Sequence, residues 1–457
     1  MMSIKKISLL ALLAVTSVGG LASCNKESGE SNSGGGALGN IVLSGPAEAQ
    51  DFTLEKAEEW AEKNNLDYSF TYATHGEDKV DSEVTDWSAS TAPDIYMFAN
   101  DKTQPLVQAN AITPVIDDNI EAMSDDYAIS KTYLDTVTFN GNIYGYPYTL
   151  NSYCFWYNQD KVESYVAESD FATKTSVSEL DYTKWTMDDW LKVAKAYDQD
   201  IDYPLIDAFY SGGAIATFGA GWKCTYNQNG QLQKVESDFS TNEAGYWAAE
   251  NLRRWHEDYG GTLVDAQGTQ QAPTNSSKVL ATVNGAWALA SSEGAGTTDY
   301  ANEEIQCMPM PDMYFEEDNG TEHREPTKAF AGSKALGINP QKTGSDLQKA
   351  AALQSLALYL ISPEVQEARY ELNASWLPTS SDVVSQITDS KCATALNTVM
   401  SYSVPQANLP TNIWDAPKTL VTIFTEAEKN NTKTSADDLR KALAQMDSSL
   451  QNIAATK

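Results

Sequence analysis

From Asn40 onward, apolar runs of strand length alternate with segments whose apolar side chains return every three to four residues. That alternation restricts the chain to folds in which helices cross between mostly parallel strands. Asn40–Ser44 (NIVLS) reads as a strand, and in Phe52–Asn65 the side chains of Phe52, Ala57, Trp60 and Ala61 fall near helical spacing. In Asp67–Tyr72 the rings of Tyr68, Phe70 and Tyr72 share one side, as in a half-buried strand. Pro93–Phe98 (PDIYMF) reads as a buried strand, and Pro105–Pro114 as a short helix and turn. Ligands of such sheets sit beyond the carboxyl ends of the strands, which puts Phe98–Lys102 where a ligand would be met.

Further along, Asn140-Gly141-Asn142 marks a turn before Ile143–Tyr148, and Tyr153–Tyr157 (YCFWY) is a strongly aromatic strand. Thr186 and Asp189 in WTMDDW have the spacing of a capping box with Asp in place of Glu. Leu347–Ile361 is an Ala- and Leu-rich helix stopped by Ser362-Pro363. A last helix, Ser435–Ile453, carries Leu439, Leu443, Met446, Leu450 and Ile453 at three- and four-residue steps. No repeat of fixed period is present.

Length and charge narrow the function. At 457 residues and 42% hydrophobic the chain is globular and long enough for two or three domains. Its 63 acidic side chains against 31 basic ones give a net charge of −32, which repels nucleic acid and anionic lipid surfaces. The three histidines, His75, His256 and His323, lie far apart, so no metal centre or other cofactor is expected. Asp198, Asp200 and Asp202 form a DxDxD, but an EF-hand loop needs Gly and Glu where Tyr203 and Phe209 stand, so it reads as a solvated acidic turn. No GxSxG, HExxH or Walker A pattern supports hydrolysis or phosphotransfer.

The N-terminus points to export. Lys5 and Lys6 precede an apolar stretch, Ile7–Thr16, too short to span a bilayer, and residues 1–23 read as a signal peptide. Its ending, Leu21-Ala22-Ser23-Cys24, resembles a bacterial lipobox, which makes Cys24 the lipidated first residue of the mature chain. Residues 24–39 read as a flexible tether; the part from Asn25 to Gly36 reaches on the order of 20 Å. Several acyl chains on one cysteine make a durable anchor, the chain's only expected membrane contact. A GxGxxG over Gly34–Gly39 precedes the first strand instead of following one, so it is no dinucleotide fingerprint. Cys154, Cys224, Cys307 and Cys392 lack the close spacing of a redox or zinc motif, and their pairing stays open.

The order of local signatures resembles the extracellular solute-binding proteins of sugar ABC transporters, family 1, and within them the maltose and maltodextrin-binding type. The matching pieces are PDIYMFANDKTQPLVQANAITPV (Pro93–Val115), NGNIYGYPYTLNSYCFWYNQDKV (Asn140–Val162), WTMDDWLKVAKAY (Trp185–Tyr197), VNGAWALA (Val283–Ala290), MPMP (Met308–Pro311), AFAGSKALGINP (Ala329–Pro340), Leu353–Thr379 ending in WLPT, and NLPTNIW (Asn408–Trp414). The resemblance implies an α/β, two-lobed periplasmic-binding-protein-like fold of type II, with a hinged cleft that closes over sugar. It places residues 40–149 and 329–376 in an N-terminal lobe, and 150–328 with 377–457 in a C-terminal lobe. The chain would cross near Thr149–Asn151, Lys328–Gly332 and Trp376–Thr379.

A sugar presents hydroxyls around its edge and C–H groups on its faces, so its site needs aromatic plates beside fixed polar groups. The resemblance assigns plates to Trp287 and Trp414, with Tyr210 as a third, and hydroxyl contacts to Asp101 and Lys102. Phe98 stands where the family has Trp, and Asn151 where maltodextrin binders have Glu. That last departure bears on sugar identity, because an amide donates as well as accepts. Glu48 stands near a polar cleft position, with a poor local match. The implied function is a monomeric, non-enzymatic, lipid-anchored receptor that hands a carbohydrate such as maltodextrin to an ABC permease. The alternatives are the same fold holding a polyamine, metal ion or peptide, and an exported glycoside hydrolase.

Overall fold

The computed structural model describes residues 38–204, 208–263, 271–289, 298–388, 390–409 and 413–456. The expected signal peptide, Cys24 and the tether up to residue 37 lie outside them. Two separate sheets organise the chain. In the first, Asn40–Gly45 runs parallel to Ser69–Thr74 on one side and to Ile95–Ala99 on the other. The long strand Phe330–Ile338 then pairs antiparallel with both Ile95–Ala99 and Tyr146–Asn151. Ile95 to Phe98 are all buried, as a central strand covered on both faces requires. Ser69–Thr74 is only half-buried, as an edge strand, which explains why its apolar residues alternate. The helix Gln50–Asn64 buries Phe52, Ala57, Trp60 and Ala61, and its Trp60 indole N–H donates to Ser355 Oγ at 3.2 Å on the helix Leu347–Leu360.

The second sheet has the order Thr262–Leu263, Asp200–Tyr203, Val279–Gly285, Tyr153–Asn158, Ile305–Met308. Its aromatic strand is buried on both faces. Phe155 and Tyr157 meet Trp190 at 4.9 and 5.5 Å, under the helix Met187–Ala196. That helix starts at a complete capping box between Thr186 and Asp189. On the opposite face Cys154 and Trp156 belong to a second apolar cluster, shared with Leu396 and Met400 of the helix Ala393–Met400. Two C-terminal helices, Lys418–Lys429 and Ala436–Asn452, close the second lobe, and Leu439, Leu443, Met446 and Leu450 face its core. Among the described residues no helix is long and apolar enough to cross a membrane.

The lobes meet where the chain passes between sheets. Tyr146–Asn151 of the first sheet continues into Tyr153–Asn158 of the second through Ser152, whose hydroxyl donates to the Phe330 carbonyl at 2.6 Å. Trp376–Thr379 lies against this passage, with the Leu377 carbonyl accepting from Leu150 N and Thr149 Oγ1. The chain does not leave the first lobe there. Ser380 bridges to Ile129, Ser381 N donates to Ala128 O, and the helix Ser381–Gln386 packs on Pro363–Leu372. Trp376 and Leu377 are buried here, and further on Val404–Pro405 still pairs parallel with Phe330–Ala331 of the first sheet, so the chain stays with that sheet beyond the stretch where the sequence places the crossing.

The acidic triplet also differs from the expected solvated turn. Asp198 sits in a left-handed turn at φ 53° and pairs with Lys278, but Asp202 is inside the strand and 4% exposed. Burial pushes the Asp202 carboxyl up to about 6, against a weak 3.4 Å bond from Gln271 N. An acid whose pKa rises on folding binds its proton more tightly in the native state, so its ionisation costs stability as pH rises from about 4 to about 6. Asp202→Asn is expected to stabilise the protein above pH 6 by up to about 3 kcal/mol and to leave it unchanged below pH 4, as read by urea denaturation at each pH.

Packing against the junction gives a second expectation. A side chain on Gly213, in the helix Ala208–Ile215, would come within 2.4 Å of the Ala329 backbone, whereas Gly221 faces open space. Gly213→Ala should cost about 1 to 3 kcal/mol in chemical denaturation, and Gly221→Ala should be neutral or slightly stabilising.

Candidate ligand-binding cleft

In the first lobe the carboxyl ends of the parallel strands carry polar groups in close company. Beyond Asn40–Gly45, the Pro46 carbonyl accepts from the Tyr72 hydroxyl at 2.9 Å, and a side chain on Gly45 would stand 2.7 Å from that hydroxyl. Burial pushes the Tyr72 phenol up, and the charges of exposed Glu48 and of Glu77 add to the shift. Glu77, just past Ser69–Thr74, pairs with Lys334 of the long strand. Burial alone would raise its carboxyl, but the Lys334 ammonium more than offsets this and holds it below the usual range.

Beyond Ile95–Ala99 the chain turns through Asn100–Lys102. Buried Asn100 fixes the turn by donating to Thr136 O at 2.7 Å and accepting from Ser333 N at 3.1 Å. Asp101, 9% exposed, is held 3.5 Å from Lys102. Burial raises its carboxyl, and Lys102 only partly counters that. Two acid–base pairs, Glu77 with Lys334 and Asp101 with Lys102, thus stand near each other, tied by the bond from Ala99 N to Glu77 O at 2.8 Å. Together they offer acceptors and donors without a large net charge.

In the second lobe Val279–Gly285 ends beside Trp287. A side chain on Gly285 would lie 2.1 Å from the Trp287 ring, so the missing side chain is what lets the indole fold back over the strand end. Tyr153 braces the indole edge-on at 5.2 Å, and the same Tyr153 ring meets Tyr210 at 5.7 Å and Phe330 at 5.5 Å. Trp287 itself remains half-buried. At the crossing Asn151, also half-buried, is paired with Gly332, where a side chain would come within 2.9 Å of the Asn151 carbonyl and 2.7 Å of Gln406 Oε1.

Two expected ligand plates, and Phe98 at the position where the family has Trp, are packed inside. Phe98 is fully buried against Tyr96 at 5.9 Å and under Gly145, where a side chain would be 3.0 Å from its ring. Tyr210 is fully buried behind Tyr153. Trp414 is fully buried too: its ring occupies the space above Gly212, 2.4 Å from where a side chain there would be, and meets Trp222 edge-on at 5.7 Å. Half-buried Trp222 is therefore the more open indole of that pair. Trp222, Glu77, Lys334 and Tyr153 are absent from the sequence-based candidates. Glu77 was within reach, since it follows its strand end as Asp101 follows the next one. Among the described residues no three side chains cluster as a metal site.

Residues 56–397 match the family model of bacterial extracellular solute-binding proteins. A maltooligosaccharide ABC transporter solute-binding lipoprotein of Streptococcus pneumoniae is 23% identical over 368 residues, which cover 79% of this chain and 77% of the relative. Among solved structures, a maltodextrin-binding protein of L. casei superposes with a TM-score of 0.68 at 17% identity, covering 90% of this chain and 99% of the other. A cyclo/maltodextrin-binding protein in complex with maltotetraose gives 0.66 at 16%, with coverage of 92% and 98%. The maltose-binding protein of Listeria monocytogenes gives 0.65 at 15%, again covering 92% and 98%. These likenesses carry the two-lobed fold, and the family match carries the class: this chain belongs to the bacterial extracellular solute-binding proteins.

Proposed function

We propose that the protein captures an oligosaccharide of the maltodextrin type between its lobes and delivers it to an ABC permease without transforming it. The observation that carries this reading is Trp287: a half-open indole, folded over Gly285 and braced by Tyr153, in a molecule whose other lobe presents the Asp101–Lys102 and Glu77–Lys334 pairs. A flat apolar face suits the C–H surface of a pyranose ring, and paired donors and acceptors suit its hydroxyls. The maltooligosaccharide and maltodextrin ligands named for the relatives support the same class of solute. In this reading Asn151 at the crossing serves as a two-way hydrogen-bonding group, and the lipidated Cys24 holds a monomeric receptor at the outer face of the membrane. Ligand touches both lobes only when they close, so its binding shifts the open and closed populations by that difference in affinity.

Calorimetric titration with a maltooligosaccharide should give saturable one-to-one binding, and chromatography of the same mixture should show the sugar unchanged. Turnover to shorter products would overturn the receptor reading in favour of a glycoside hydrolase. Trp287→Ala should weaken binding by roughly 1 to 3 kcal/mol, about five- to 150-fold in Kd, with little change in Tm. Gly285→Ala should weaken it in the same sense by displacing the indole. The double variant should lose little more than Trp287→Ala alone, because both changes act through one ring.

A further inference from the structure

Three of the four described cysteines gather where the strand leaving the crossing meets the edge of the second sheet. Cys154 lies just past Ser152 in Tyr153–Asn158. Cys307 lies in the edge strand Ile305–Met308, opposite Trp156, and so on the same face two positions along from Cys154. The two sulfurs are 3.0 Å apart. Cys154 is fully buried, with its thiol also directed at the Asn284 carbonyl at 3.3 Å, whereas Cys307 is a half-buried residue of the edge strand. Cys392 caps the helix packed on this face and is close enough to act electrostatically on the Cys307 thiol. Cys224 stands apart in the strand Trp222–Tyr226. With no three-ligand metal cluster among the described residues, thiol chemistry is what this arrangement offers.

We propose that Cys154 and Cys307 form a redox dithiol that closes to an intrachain disulfide outside the cytoplasm, tying the edge strand to the strand that leaves the crossing. Extracellular family membership supplies the setting, because disulfides persist where the surroundings are oxidising. The oxidant is a small disulfide. Cys307 loses its proton, and its thiolate attacks one sulfur of that molecule, forming a mixed disulfide and releasing one thiolate. Cys154 then loses its proton and attacks Cys307 Sγ, which expels the second thiolate. Two protein thiols are oxidised, the small disulfide is reduced, and the two released protons pass to its two thiolates. Burial pushes the Cys307 thiol well above its ordinary range, so the reaction is slow at neutral pH. Its rate should climb about tenfold per pH unit as the thiolate fraction grows.

The test treats the full chain with oxidised glutathione at pH 9, or with dithiothreitol, then denatures, alkylates and maps it by mass spectrometry. Before alkylation the oxidised chain should be about 2 Da lighter than the reduced one, and after it Cys154 and Cys307 should be joined in one linked peptide pair with Cys224 and Cys392 alkylated. Cys392→Ser should keep the link, and Cys307→Ser should abolish it while circular dichroism stays native. If that second variant does not fold, the wild-type map decides by itself. Alkylation of both Cys154 and Cys307 after oxidation, glutathione retained on Cys307 without closure, or a link from either residue to Cys392 or Cys224 would each overturn the proposal.

Discussion

The join at Ser152 and Phe330 is the contact on which the rest of this molecule depends. Two sheets joined by several passages of chain can move relative to each other only if the chain between them is short, aligned and satisfied in its hydrogen bonds. Here Ser152 donates to the Phe330 carbonyl, Gly332 pairs with Asn151, and Gln406 N donates to Ala331 O, so three stretches of chain run side by side through one narrow place. The cluster that includes Trp156, Leu396 and Leu377 lies behind this place and spans both lobes.

Missing side chains shape the cleft as much as those present. Gly285 gives the Trp287 indole its seat, Gly45 leaves room for the Tyr72 hydroxyl, and Gly332 lets Gln406 approach the crossing. Each is a close approach that a methyl group would block. Polar groups at the strand ends are held in turn by buried neighbours, as Asn100 holds the turn that carries Asp101.

How much of this the sequence disclosed depended on how local the cause was. The continuous apolar run Ile95–Phe98, the helical spacing of Phe52 to Ala61 and the Thr186–Asp189 cap are decided by neighbours in the chain, and they form as their patterns predict. Asp101 and Lys102 stand at a strand end because the strand itself was legible. Trp414 was not, since whether an indole after a Pro-rich loop is a plate or a core residue depends on Gly212, about two hundred positions away. Phe98 and Tyr210 share that limit: Gly145 and Tyr153 bury them, and neither contact has a local signal. That the chain stays with the first sheet past Thr379 has the same origin, for the hydrogen bonds at Leu377 and Ser381 all reach to distant strands and turns. Asp202 looked like one acidic residue of three, and only the strand it enters makes it different.

Closure about the Ser152–Phe330 join, driven by a neutral saccharide, can be observed without altering the protein. Small-angle X-ray scattering of the full chain titrated with maltotetraose should show a radius of gyration that falls saturably, with a midpoint equal to the calorimetric Kd. Saturable binding at an unchanged radius of gyration, or no binding of any maltooligosaccharide by the folded chain, would contradict the account.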